Sequence, residues 1–184
     1  MHEIMLELVD LRGNTIGTAE KLSAHREGGQ LHRAFSVFLF DESGRMLLQQ
    51  RASGKYHSPG VWSNTCCGHP LPGEPAFLAA VRRTIEELGC APALLQAAGT
   101  VVYDLPDPLT DLVEKEYNHL FIGTADPDAV DPDPLEALDT RFVTPDQLLS
   151  LRQSHPFSAW FPVVFEAALP AVHALFPTSN WTTG

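Results

Sequence analysis

Apolar and polar positions change their period several times along the chain, and each change marks a predicted element. Residues 4–9 alternate loosely and Arg12-Gly13-Asn14 carries turn chemistry, so the chain is predicted to open as a hairpin. Residues 34–40 are rich in aromatic and branched side chains, as in a buried strand, and Asp41-Glu42-Ser43-Gly44 turns this into a second strand over 45–51. Over 74–88, Phe77, Val81 and Leu88 fall at helical spacing with Ala80, Thr84 and Ile85 beside them. Pro75 suits the first turn of that helix and Gly89 its stop. Val101-Val102-Tyr103, residues 117–124 and Arg141-Phe142-Val143 read as strands, and 145–152 as a short helix. The most apolar segment, 156–176, is interrupted by Pro162, Glu166 and Pro170. A membrane span needs about 20 mostly apolar, uncharged residues, so this segment reads as a core helix with breaks. Residues 178–184 are expected to fray. Strands and helices intermix without a repeat or a linker, which predicts one α/β domain spanning 1–184.

Two segments lack a period. Residues 126–134 form an acidic, proline-punctuated surface loop, and 54–72 form a loop rich in Gly, Pro, Ser and His. The second is long for a compact domain, and long irregular loops are often functional. The 184 residues, 44% of them hydrophobic, are enough for a packed core and exclude a disordered chain. Lys and Arg number 12 against 23 Asp and Glu, a net charge of −11. Sequence-independent binding to nucleic acid or to an anionic membrane needs a basic surface, so neither partner is expected. An anionic small-molecule substrate would have to be met by a few local cations or by metal. Three cysteines, Cys66 and Cys67 adjacent among them, make no disulfide framework. Met1-His2-Glu3-Ile4 lacks the basic start of a signal peptide. A cytoplasmic setting and a monomer are therefore the expectations.

Candidate chemistry concentrates in four places. Cys67 stands two residues before His69 in the irregular loop, where thiol and imidazole can share a pocket wall; a buried, inert cysteine is the plain alternative. His25 and His32 precede the first buried strand, as surface residues or as ligands. Glu114 and Glu116 are two apart, so on a strand they point to one face. Side by side they repel unless a cation or a shared proton sits between them, although an edge strand in water tolerates both. Three imidazoles and two carboxylates together suit an octahedral divalent ion, Mn²⁺, Mg²⁺ or Zn²⁺. Lastly Gly68, Glu74, Arg82 and the run Arg83-Thr84-Ile85-Glu86-Glu87-Leu88-Gly89 resemble the Nudix box, a loop–helix–loop that gathers glutamates around magnesium on a diphosphate. Arg83 replaces a glutamate of that pattern, which argues against ordinary Nudix hydrolysis and leaves diphosphate binding open. Independently, Arg82–Glu86 and Arg83–Glu87 are spaced for helix-surface ion pairs of about 0.2–0.5 kcal/mol each.

A Nudix-like box whose glycine lies in Asn64-Thr65-Cys66-Cys67-Gly68-His69-Pro70 resembles the type 1 isopentenyl-diphosphate isomerases. The likeness extends through Lys21-Leu22-Ser23-Ala24-His25, Leu31-His32-Arg33-Ala34-Phe35-Ser36, Gln50-Arg51-Ala52, Lys55, Pro59-Gly60-Val61-Trp62, Val113-Glu114-Lys115-Glu116 and Phe157-Ser158-Ala159-Trp160. It implies a Nudix-like mixed β-sheet sandwiched by helices, and interconversion of isopentenyl and dimethylallyl diphosphate. By position it implies Cys67 and Glu116 as the acid–base pair, with Tyr103 assisting proton delivery and Trp160 facing a carbocation. His25, His32, His69, Glu114 and Glu116 would ligate one divalent metal, and Glu87 would help hold a magnesium ion on the diphosphate. Lys21, Arg51, Lys55 and Arg83 would meet the phosphate charge. Gly68 stands where some relatives have Ser, so its substrate contact would come from backbone or water. A Nudix-type hydrolase and a non-catalytic metal- or nucleotide-binding module are the alternatives.

Overall fold

A computed structural model describes residues 4–26, 28–55 and 57–183. The sequence readings that fall on Met1-His2-Glu3 and on Gly184 lie outside these residues.

Asp10 builds the first turn: its Oδ1 accepts from the N–H groups of Arg12 and Asn14 at 2.8 and 2.9 Å. Gly13 there takes φ +79°, a conformation that side chains disfavour. The predicted hairpin forms, with β1 (Met5–Val9) antiparallel to β2 (Thr15–Glu20). The Glu20 carboxylate then accepts from the N–H groups of Leu22 and Ser23, so the chain turns at once into α1 (Lys21–Ala24). β3 (His32–Phe40), β4 (Met46–Arg51), β5 (Trp62–Ser63), β6 (Cys66–Gly68) and α2 (Ala76–Leu88) follow. The remainder is β7 (Leu94–Pro106), β8 (Val113–Thr124), β9 (Ala137–Val143), α3 (Pro145–Ser154) and α4 (Phe161–Leu175).

β3 is the spine of a mixed sheet. One edge pairs in parallel with β8 over its whole length, from His32 beside Glu116 to Phe40 beside Thr124. Its other edge is shared: β1 meets it at His32, β6 at residues 35–37 and β4 at Phe40. Alternation along β3 divides the core. Phe38 and Phe40 join Leu120, Ile122, Phe161, Val164 and Phe165 under α4, while Phe35, Val37 and Leu39 join Ala79, Ala80 and Leu88 of α2 on the opposite face. Helices thus cover both faces, as the sequence predicts for a single α/β domain. At the end of α2, Gly89 takes the left-handed conformation (φ +68°) and its N–H bonds Ile85 O at 2.9 Å.

Three expectations need correction. Within 54–72, read as an irregular loop, Cys66–Gly68 pair antiparallel with β3. Buried backbone groups need partners, and three residues are too few for a hydrophobic period to announce them. The segment 156–176 contains an uninterrupted helix over Phe161–Leu175, with Pro162 in its first turn and Pro170 inside it. Packing of its apolar face against the sheet outweighs the local penalty of the proline. The tail over 178–184 does not fray at Trp181, which is 1% exposed and packs edge-on to Phe40 and Phe165 at 5.8 Å. Its indole N–H donates to Gly44 O at 3.2 Å. A lone aromatic after a helix stop leaves no periodic signal, but its burial is worth about 1.5–3 kcal/mol. Among the described residues no helix is long and apolar enough to cross a membrane.

Candidate active site

Sheet parity selects the side chains. Glu114, Glu116 and Asn118 alternate along β8 onto the face that also carries Leu120 and Ile122. The parallel register sets Glu116 beside His32, and the antiparallel register of β7 sets Tyr103 beside Glu116. On the far edge of β3, Cys67 lies opposite Ser36 and turns to this face, whereas Cys66 packs beneath α2. Lys21 and His25 come from α1 and its C-terminal cap, and His69 follows β6 directly.

The donor atoms of His25, His32, His69, Glu114 and Glu116 all lie within 4.8 Å of one another. Opposite ligands of an ion with bonds of about 2.1 Å stand about 4.2 Å apart, so the set fits one divalent cation. The backbone orients two of the rings. His25 Nδ1 lies 2.6 Å from Lys21 O and His32 Nδ1 2.8 Å from Gln30 O. A carbonyl only accepts, so both Nδ1 atoms carry the proton and the Nε2 atoms face the cluster. Burial lowers His69 to about 3, leaving a neutral imidazole. Burial disfavours a charged His25 as well, yet Glu114, 3.4 Å away, raises its pKa. The carboxylates thus draw a proton where a divalent ion would sit, the competition expected of a metal site. Burial opposes ionisation of Glu114 and Glu116, but the surrounding imidazoles hold both below the usual carboxylate range.

A cavity of about 340 Å³ opens onto this cluster, and Cys67, Tyr103 and Trp160 line it too. Glu116 is held from two sides. Its Oε1 is 3.1 Å from His69 Nε2, while its Oε2 accepts from Tyr103 OH and from Asn118 Nδ2, the latter at 2.9 Å. Burial pushes the Cys67 thiol up to about 11, against the opposing pull of the Arg51 cation, whose Nη1 lies 3.7 Å from Sγ. The same guanidinium sits 5.2 Å over the Trp160 ring.

The cavity also carries cations. Lys21, Arg51, Lys55 and Arg83 all line it, with the Gly68 backbone beside them. Burial, then repulsion from Lys55 and Arg83, lowers Lys21 to about 8. Arg83 donates to Glu87 Oε1 at 2.6 Å and lies 3.3 Å from Glu136, which also pairs with Lys55. Glu87 Oε2 accepts from Gln49 Nε2 at 2.9 Å and its Oε1 from Arg83, and Glu87 is not one of the five clustered donors. The Arg82–Glu86 pair forms at 3.2 Å as expected, but Arg82 also grips Glu74 at 2.8 Å through both Nε and Nη2.

All fourteen side chains and backbones expected at the site, from Lys21 to Trp160, therefore converge: each lines the cavity or belongs to the donor cluster beside it. Sequence reasoning missed His57, Asn118 and Glu136. Asn118 continues the two-residue alternation of Glu114 and Glu116 and was findable on that ground. His57 carries no signal beyond its place in the long loop, and Glu136 follows the acidic loop with none at all.

A mixed sheet between helices, with a glutamate-bearing helix beside an N/O donor cluster, defines a Nudix-type protein. The NUDIX domain family matches residues 30–162, and the chain belongs to that family. Within it, the chain is a member of the isopentenyl-diphosphate Delta-isomerases. The protein of that name from Streptomyces griseus is 64% identical over 97% of this chain and 90% of its own length. Its namesake from Halorhodospira halophila is 42% identical over 96% and 97%. A solved Deinococcus radiodurans protein shares the fold at a TM-score of 0.69 and 17% identity, covering 92% of this chain and 98% of its own. The MutT protein of Methanosarcina mazei does so at 0.57 and 20%, covering 83% and 96%.

Proposed function

We propose that the chain interconverts isopentenyl diphosphate and dimethylallyl diphosphate by adding a proton at one end of the allylic unit and removing one at the other. The observation that carries this reading is that Cys67 and Glu116, borne by strands on opposite edges of β3, line one cavity that Lys21, Arg51, Lys55 and Arg83 line as well. An alkene is a weak base, so the reaction needs a positioned acid and a positioned base, each commonly worth 10²–10⁴-fold in rate, about 3–5 kcal/mol. Cys67 and Glu116 fill these parts and exchange them with the direction of reaction. Tyr103 and Asn118 hold Glu116 Oε2 in place as its proton comes and goes. The Trp160 face stabilises developing positive charge by about 2 kcal/mol once water is excluded. Exclusion matters, because a tertiary cation in contact with water ends as an alcohol.

Mn²⁺, Mg²⁺ or Zn²⁺ held by His25, His32, His69, Glu114 and Glu116 would make the Glu116 carboxyl more acidic. Glu87 would hold Mg²⁺ on the substrate diphosphate. Lys21, Arg51, Lys55 and Arg83 bind the phosphate oxygens, which offsets the repulsion of a chain of net charge −11. The replacement of a box glutamate by Arg83 favours this isomerase over a hydrolase, because the cation binds diphosphate without supplying a further metal ligand. The chain is expected to act as a cytoplasmic monomer of one domain.

Incubation with isopentenyl diphosphate in D₂O tests the reading. The expected result is the dimethylallyl isomer carrying deuterium, with no turnover after rigorous chelation and recovery on adding a divalent ion. Release of phosphate instead would mean a hydrolase; metal-dependent stability without turnover would mean a binding module.

A further inference from the structure

His57 is a buried histidine outside the five-donor cluster, yet it touches that cluster on two sides. Its ring centroid is 4.4 Å from that of His25, and its Nδ1 is 2.9 Å from Glu114 Oε1. Glu114 therefore divides its oxygens, with Oε2 toward His25 and the centre of the cluster and Oε1 toward His57. Asp107 lies behind, its Oδ2 3.5 Å from the same Nδ1.

The backbone that delivers His57 is held from several directions. Arg51 donates to His57 O from Nη2 at 2.9 Å and from Nε at 3.2 Å, and to Ser58 O at 3.2 Å. Asp107 Oδ2 accepts from Ser58 N–H at 2.9 Å, and its Oδ1 accepts from Leu109 N–H at 3.0 Å. Between these clamps Ser58 adopts φ +42°, the only positive φ at a non-glycine position among the described residues. Such a conformation costs about 1–3 kcal/mol and persists only where its surroundings fix it. The Arg51 and Asp107 contacts fix the backbone on either side of the His57–Ser58 bond, and with it the place of His57 against Glu114.

We propose that His57 is a positioning residue for the divalent-metal centre. Its ring stands against Glu114 Oε1, so that Oε2 is the oxygen that would be left for a divalent ion. The proposal rests on the metal reading given above. Partners that orient a ligating carboxylate are commonly worth 10–100-fold in metal affinity.

The test titrates the full chain, freed of metal by chelation, with Co²⁺, read by calorimetry and by visible absorption. His57→Leu removes the ring nitrogen that approaches Glu114, and His57→Asn keeps a polar nitrogen near the position of Nδ1. Expected are Co²⁺ binding about 10–100-fold weaker in His57→Leu, with an altered absorption band, and affinity within about threefold of the parent in His57→Asn. Turnover of His57→Leu should recover at high metal with the substrate KM unchanged. An affinity of His57→Leu equal to the parent's, or of His57→Asn as weak as His57→Leu, overturns the proposal and leaves the metal site standing. Absence of Co²⁺ binding to the parent chain would overturn both.

Discussion

Cys66 and Cys67 are bonded neighbours that face opposite sides of the sheet: Cys66 is sealed beneath α2, and Cys67 opens into the cavity beside Tyr103 and Trp160. Strand alternation across β6 decides which sulfur faces the cavity. Cys67→Ala should lower turnover in the D₂O assay by at least about 10²-fold while leaving the urea midpoint nearly unchanged. Cys66→Ala should do the reverse, keeping turnover within a few-fold and losing about 1–2 kcal/mol of stability from the emptied core position. Equal loss of turnover in the two variants would show that the wrong thiol was assigned.

Glu136 pairs with cations that are proposed to bind the diphosphate. It pairs with Lys55 and lies 3.3 Å from Arg83, which also binds Glu87. On the proposed reading the substrate displaces this carboxylate, and partly exposed pairs of this kind are worth about 1 kcal/mol or less. Glu136→Gln is therefore expected to tighten inhibition by inorganic pyrophosphate and to lower the substrate KM by up to about fivefold, with kcat little changed. A raised KM would mean that Glu136 helps to hold the substrate or its metal.

Lys21, proposed to bind phosphate, is expected to set a pH limit on binding. Burial, with Lys55 and Arg83 nearby, lowers it to about 8, so the substrate-free chain carries this charge below pH 8 and loses it above. A bound diphosphate favours the charged form and raises the pKa. Accordingly kcat/KM should fall as pH rises through about 8, while kcat holds to higher pH. In Lys21→Met the inflection should vanish, leaving a uniformly higher KM. An unaltered profile in the variant would assign the titration to another group.

Trp181 anchors the C-terminal segment, and the docked tail is a measurable part of the fold. Trp181→Ala opens space beside Phe40 and Phe165 and removes the indole bond to Gly44. It should destabilise the chain by about 3–5 kcal/mol in urea or thermal unfolding. A loss below about 1 kcal/mol would return the tail to the frayed state that its sequence suggests.

Elements with a sustained period are legible in the sequence alone. The hairpin, β3, β4, α2 and α3 fall where alternation, helical spacing and punctuating Gly or Pro place them, because those patterns act locally. Cys66–Gly68 and Trp181 were not legible, since a three-residue strand and a single docked indole exist only through partners distant in sequence. The same division runs through the site. Glu114 and Glu116 sharing a face follows from strand geometry alone.

The chain's sequence by itself determined the residue types, the two-residue alternation that pairs the carboxylates, and a box motif specific enough to name a family. It could not determine that His57 stands behind Glu114, that Glu136 reaches the cations of the cavity, or that Cys67 and Glu116 line the same space. The Cys67–Glu116 relation arises because β3 shares its edges with β6 and β8, and the other two from loop contacts between segments distant in sequence. Contacts across 47 positions, as between His69 and Glu116, are fixed by strand register and core packing and not by any local pattern.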